Sequence, residues 1–147
     1  MQDIYIGRVF VILLFTLTSC SSRVVSFKTN ANGKSIKYKL SIPKGYNTTT
    51  NIYENERIKT FVYSDSSSIY FSDNTAPSSF YPDAYLKYGK DLNVKFHAGD
   101  TIIINGKDDK GKYWEDRKLK HIVYGYRKVQ SDCKEMFDKI LDSIVIK

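Results

Sequence analysis

The sequence contains few of the residues that bind metals or act as nucleophiles. It has two histidines and two cysteines among 147 residues. Neither histidine, His97 or His121, stands in an H-x-x-x-H pattern, and no C-x-x-C pair is present. Because zinc ligands usually recur at such spacings, the sequence predicts no metal site and no cofactor. Both histidines are expected at surface or strand positions.

The short motifs of common enzymes are also missing. The chain has no G-x-S-x-G nucleophile elbow and no glycine-rich loop that could hold a phosphate. The carboxylates of Asp108, Asp109, Glu115 and Asp116 lack the EF-hand spacing, and lysines crowd the same predicted turn. The sequence therefore predicts a non-enzymatic protein, with a hydrolase of unrecognised type as the alternative.

The first hydrophobic run, Val9–Leu17, is too short to cross a bilayer. As a helix it would cover about 14 Å, whereas a bilayer core of about 30 Å requires roughly 20 apolar residues. Its length and the preceding Arg8 match the apolar and basic regions of a secretory signal. The run is therefore predicted to be removed from the mature protein.

The run ends in Leu17-Thr18-Ser19-Cys20, an aliphatic residue and two small residues before a cysteine. This tetrapeptide, directly behind the apolar run, resembles the lipobox of bacterial lipoproteins. The resemblance implies that a peptidase cleaves before Cys20 and that diacylglycerol is attached to its thiol. Acyl chains such as palmitate would then anchor the protein in the membrane. The alternative is a buried first strand or helix that happens to end in cysteine.

The residues after Cys20 bear on which membrane the protein would reach. In lipoproteins of two-membrane bacteria an acidic residue there often marks inner-membrane retention, whereas this chain has Ser21 and Ser22. Arg23 follows where some lineages carry an acidic run for surface display. The resemblance therefore implies an outer-membrane protein whose domain faces the periplasm, where nucleic acid is a poor candidate partner.

Cleavage before Cys20 would divide the chain into three parts. Residues 1–19 form the signal peptide, residues 20–23 the lipidated N-terminus with a short tether, and residues 24–147 a single domain. Removing 19 of the 147 residues leaves 128, enough for one domain with a hydrophobic core. With Cys133 as the remaining thiol, no intramolecular disulfide can form, so packing must hold the domain together.

Strand patterns are dense in the mature chain. Ile36–Ile42 alternates apolar and polar residues, as a half-buried strand does. Val24–Lys28 is predicted to pair with it across an Asn-Ala-Asn-Gly turn. Further strands are predicted at 57–63, 68–72, 101–105, 112–116 and 121–129. A polar loop is predicted at 44–56, and a short helix at 83–88 within an irregular segment, 73–92.

The chain ends in a predicted amphipathic helix. Apolar residues recur at spacings of three and four and form one continuous face: Cys133, Met136, Phe137, Ile140, Leu141 and Ile144. Asp132 and Glu135 have the spacing of a capping box. Cys133 is predicted to be a core residue rather than a reactive thiol.

These elements predict an α+β domain, a twisted antiparallel sheet of about six to seven strands with the C-terminal helix packed on one face. The order of elements is similar to the PsbP-like α/β fold. The resemblance rests on "KLSIPKGY" (39–46), "YSDSSSIYFS" (63–72), "YWED" (113–116) and "GYRKV" leading to "MFDKILDSI" (136–144). That fold includes accessory and assembly proteins without one shared chemistry, so it implies no active site.

Aromatic residues cluster in the irregular segment. Aromatic side chains on loops often serve recognition, because they offer rigid contact area with a polar tip. A glycan or another small ligand could therefore be bound by Phe80, Tyr81, Tyr85 and Tyr88, together with Trp114. The same rings could equally hold the segment against the sheet.

A basic stretch is the sharpest charge feature. Arg117, Lys118 and Lys120 could contact an anionic lipid surface or an acidic envelope protein. An ordinary lysine-rich strand connection explains the same pattern and is the interpretation we favour. The sequence as a whole predicts a lipid-anchored accessory or binding domain of the bacterial cell envelope.

Overall fold

The computed structural model describes residues 21–53, 56–76, 87, 91 and 101–147. Within those residues, no helix is long and apolar enough to cross a membrane. The helix α1 spans Lys134–Asp142. The strands are β1 (Ser22–Ala31), β2 (Lys34–Pro43), β3 (Asn47–Tyr53), β4 (Glu56–Val62), β5 (Ser68–Ser72), β6 (Thr101–Lys107), β7 (Tyr113–Leu119), β8 (Ile122–Val129) and β9 (Val145–Ile146).

The strands form two antiparallel sheets. The small sheet has the order β1-β2-β9, and the large sheet has the order β3-β4-β5-β8-β7-β6. The prediction of a mostly antiparallel fold with a C-terminal helix is confirmed, but the prediction of a single sheet is wrong. Alternation of apolar and polar residues identifies strands without identifying their partners, so it could not separate the first hairpin from the large sheet.

The first hairpin forms as its sequence predicts. β1 and β2 pair along their full length, beginning with Ser22 opposite Pro43. The turn between them places Asn32 at φ 52° and Gly33 at φ 73°. Asparagine and glycine adopt this left-handed conformation readily, which is why they are common in tight hairpins.

The main core lies between the two sheets and α1. Its buried side chains come from β1, β2, β4, β5, β8 and α1. Phe27 of β1 stacks on Phe71 of β5, with ring centroids 5.6 Å apart, and so joins the two sheets. Burial of these large apolar and aromatic side chains is the main force that stabilises the domain.

A second buried cluster lies on the opposite face of the large sheet. Tyr70 of β5 and Val123 of β8 belong to it, whereas their chain neighbours point into the main core. Successive side chains of a strand alternate between faces, so the centre of this sheet is buried on both sides. This explains why β5 and β8 are continuous buried runs without alternation.

The C-terminal helix packs on β8 and β2 through its apolar face. Its predicted position is confirmed, but the predicted capping box is wrong. Cys133 is the N-cap, and the cap makes no side-chain hydrogen bond. Glu135 instead accepts a hydrogen bond from Lys139 one turn later, at 2.7 Å. The Cys133 side chain is half-buried and packs against the main core, which confirms only in part the prediction of a core residue.

The polar segment 44–56, predicted as a loop, contains a strand. β3 pairs with β4 from Asn47 opposite Val62 onwards, and all seven of its residues are exposed. Alternation fails to detect such a strand because neither of its faces is buried. The three consecutive threonines, Thr48–Thr50, favour extended backbone and are the sequence signal that identifies it.

Two predicted segments lie outside the described residues. The signal peptide with Cys20 is one of them, and the predicted helix at 83–88, apart from Lys87, is the other. Lys87 donates a hydrogen bond from its Nζ to the carbonyl oxygen of Asn105, at 2.7 Å. Position 87 therefore lies beside the edge strand β6.

Candidate functional site

The chain is fixed to the fold immediately after Cys20. The carbonyl oxygen of Ser21 accepts a hydrogen bond from the backbone N–H of Lys44 at 3.1 Å, and Ser22 is the first residue of β1. The Tyr63 hydroxyl donates to the carbonyl oxygen of Pro43 at 3.1 Å and holds the same end of the hairpin against β4. We call this end of the domain the anchor end.

A buried polar network crosses the second cluster. The Asp116 carboxylate has no exposed surface, and it accepts a hydrogen bond from the Tyr70 hydroxyl at 2.7 Å. Arg127 forms an ion pair with Asp116, and its Nη2 donates to the Tyr70 oxygen at 3.0 Å. Burial raises the pKa of Tyr70 well above its ordinary value, so the phenol keeps its proton and serves as a donor.

Gly125 makes room for this network. It lies opposite Asp116 in the ladder between β7 and β8. A Cβ at this position would lie 2.0 Å from the carbonyl oxygen of Glu115 and 3.0 Å from the Asp116 carboxylate. Only glycine therefore lets the two strands and the buried carboxylate approach this closely.

A second charged group lies on the helix side of β7. Arg117 donates to Glu115 at 2.7 Å and to Asp142 of α1 at 2.5 Å. Burial opposes the charge of Arg117, but these hydrogen bonds raise its pKa above the ordinary value. The Tyr126 hydroxyl donates to Asp138 of α1 at 2.9 Å. These contacts hold α1 on the large sheet, and each polar group in them has a partner.

The structure separates the described residues that were predicted to bind a ligand or partner. Trp114 is 1% exposed, and its ring packs against Gly106 in the second cluster. Arg117 is buried and paired, Lys118 is half-buried, and Lys120 is exposed in the turn that follows β7. These side chains do not form one exposed binding surface. The remaining predicted residues, Phe80, Tyr81, Tyr85 and Tyr88, lie outside the described residues.

Of the two cysteines and two histidines, the structure describes Cys133 and His121. Cys133 lines a cavity of about 280 Å³ beside Lys44 and Phe137. Burial and the adjacent Asp132 charge raise the pKa of Cys133, which lowers its thiolate content at neutral pH. His121 is half-buried ahead of β8. Among the described residues, no group of three or more histidine, cysteine or carboxylate side chains could hold a metal ion.

The buried network of Tyr70, Asp116 and Arg127 is not apparent from the amino-acid sequence. The carboxylates at 115 and 116 resemble a solvated hairpin, because they follow a lysine-rich turn. The sequence signal for their burial is that both carboxylates follow Tyr113 and Trp114 in the same strand. Searches among protein-family models, curated proteins and solved structures found no match to this chain.

Proposed function

We propose that the protein is a bacterial lipoprotein, a non-enzymatic accessory or binding domain anchored through lipid on Cys20. We place it in the outer membrane with its domain in the periplasm. The observation that carries the proposal is the position of the lipobox-like Leu17–Cys20 directly ahead of the folded domain. β1 begins at Ser22, so the domain starts where the cleavage signal ends.

The hydrogen bond between Ser21 and Lys44 fixes the chain one residue after Cys20. It therefore supports a lipid anchor that is attached almost directly to the folded domain. The lipid on Cys20 would hold the anchor end against the bilayer, because a trans peptide chain extends at most about 3.6 Å per residue. Each buried methylene of an acyl chain contributes about 0.8 kcal/mol, so two or three chains give a stable attachment without a spanning helix.

We also propose that the domain has a PsbP-like arrangement. The antiparallel sheet with α1 on one face supports this, as does the strand that enters the Pro43–Gly45 turn. Accessory and assembly proteins use that fold, which agrees with a domain that supports another envelope component.

Metabolic labelling tests the lipid anchor. Cells that produce the wild-type protein are grown with radiolabelled palmitate, alongside cells that produce Cys20→Ala or the matched control Cys133→Ala. We expect label in the wild type and in Cys133→Ala and none in Cys20→Ala. Equal labelling of Cys20→Ala would show that Cys20 is not the anchor.

A further inference from the structure

A polar groove opens at the anchor end, between the start of β1 and the β3–β4 hairpin. Its volume is about 270 Å³, and we call it the anchor-proximal groove. Its lining includes Arg23, Ser26, Tyr46, Thr48, Lys59 and Phe61. The groove lies between the small sheet and the large sheet.

The groove is electropositive. Arg23 is exposed and forms no ion pair with any described residue. The Lys59 ammonium lies 5.5 Å from the centre of the Phe61 ring and 3.4 Å from the carbonyl oxygen of Ser26. Among the described residues, none that lines the groove carries a carboxylate. Two cations with nearby hydroxyl groups form a set of donors suited to a phosphate group.

The position of the groove selects the source of that phosphate. Arg23 is the third residue after Cys20, so at full extension it lies at most about 11 Å from the cysteine. The headgroup layer of a bilayer occupies several ångströms beyond the hydrocarbon core. If Cys20 carries lipid, Arg23 is therefore within reach of the phosphodiesters of neighbouring phospholipids.

We propose that the anchor-proximal groove binds the phosphate of an anionic phospholipid headgroup in the membrane that holds the lipid anchor. This inference rests on the proposed function, because the lipid on Cys20 places the groove at the membrane. Arg23 and Lys59 supply the charge, and Thr48, which lies opposite Phe61 in the β3–β4 ladder, supplies a hydroxyl donor. The bound headgroup orients the domain by a second contact beside the anchor.

Lysine footprinting of the lipidated protein in vesicles tests the proposal. The vesicles contain phosphatidylcholine alone or mixed with phosphatidylglycerol, and acylation of each lysine is read by mass spectrometry. We expect the anionic vesicles to lower the reactivity of Lys59 by about tenfold, as charge-assisted hydrogen bonding of its ammonium implies. Lys34 is the internal control, because the β1–β2 turn places it at the opposite end of the hairpin.

Two matched variants separate a specific site from general attraction to a negative surface. Arg23→Gln should abolish most of the protection of Lys59, whereas Lys34→Gln, with the same change of charge, should leave it intact. Lys44, which is exposed at the anchor end, reports the general surface potential and should respond equally in both variants. Equal loss of protection in both variants would overturn the proposal.

Two further results keep the two proposals apart. Absence of lipid on Cys20 would contradict the proposed function. Lipid on Cys20 with equal Lys59 reactivity in both kinds of vesicle would leave the proposed function standing and overturn the groove proposal. Protection of Lys59 by millimolar inorganic phosphate in phosphatidylcholine vesicles, as strong as that by phosphatidylglycerol, would also overturn it in favour of a soluble phosphate.

Discussion

Asp116 shows how one buried charge can be held in a sheet. Its carboxylate lies on β7, its counter-ion Arg127 on β8 and its hydroxyl donor Tyr70 on β5. Taking two charges out of water is costly, and the cost is offset only when each charge keeps its partners. The network therefore ties three neighbouring strands together at one point.

The isosteric change Asp116→Asn is expected to destabilise the domain by about 3 to 5 kcal/mol, because it leaves the Arg127 cation without its counter-ion. Urea unfolding can be followed by the fluorescence of Trp114, the one tryptophan of the chain. Glu135→Gln is the control. It breaks an exposed ion pair on α1 and should leave the free energy of unfolding almost unchanged. Equal losses in the two variants would contradict the role assigned to the network.

The Cys133 thiol is expected to react slowly with Ellman's reagent near neutral pH. Burial and the Asp132 charge raise its pKa, so the thiolate, which is the reactive form, accumulates only at higher pH. Asp132→Asn should speed the reaction severalfold, and Glu135→Gln should not. If lipid is attached to the Cys20 sulfur, that sulfur cannot react, so the reagent detects the Cys133 thiol. Equal rates in the wild type and in Asp132→Asn would exclude the proposed electrostatic cause.

The basic stretch shows why residue roles could not be predicted from sequence alone. Arg117 and Lys120 lie three positions apart, yet Arg117 is buried and Lys120 is exposed in a turn. Besides the nearby Glu115, Arg117 pairs with Asp142, which lies 25 residues further along the chain. No local pattern links Arg117 to Asp142, so their ion pair forms only when α1 packs on the large sheet.

At the scale of elements, a strand or helix can be predicted from the sequence when one of its faces is buried. The period-two alternation of β2 and the three-and-four spacing of α1 both reflect one buried face, and both elements were predicted at the right places. β3 has no buried face and was predicted as a loop. The alternation of apolar and polar residues identifies the first hairpin. It does not show which sheet the hairpin belongs to.

α1 is expected to depend on one aromatic side chain. Phe137 is buried, and its ring packs edge-on against Tyr63 and Tyr126 at 6.0 and 5.6 Å. Phe137→Ala should lower the free energy of unfolding by about 3 to 5 kcal/mol, through lost burial and the cavity that remains. Met136→Ala, at an exposed neighbouring position, should change it by about 0.5 kcal/mol or less. Similar losses would mean that the helix does not pack as described.

At the scale of the whole molecule, the proposed lipoprotein would combine a short tether with a positive charge. Residues 1–19 contain Asp3 and Arg8, which cancel, so cleavage before Cys20 would leave the net charge at +7. A cationic domain held by its N-terminus is attracted to anionic lipid over about one Debye length. In the proposed lipoprotein, the tether and the charge would act at the same membrane surface.

The proposed outer-membrane location depends on the residues that follow Cys20. Introducing a carboxylate with Ser21→Asp should shift the protein from the outer-membrane to the inner-membrane fraction. The backbone hydrogen bond between Ser21 and Lys44 is retained in this variant, so the fold should be unaffected. Ser35→Asp, an exposed change in β2, is the control and should stay in the outer membrane. A wild-type protein found in the inner membrane would contradict the proposed location.

The most direct test of the lipid anchor is the mass of the N-terminal tryptic peptide of the protein extracted from its native membrane. Trypsin cleaves after Arg23, so the account predicts the peptide Cys20–Arg23 carrying diacylglycerol on sulfur, with or without a further acyl chain on the new amine. A peptide from the uncleaved N-terminus, or Cys20 with a free thiol, would contradict the lipoprotein account.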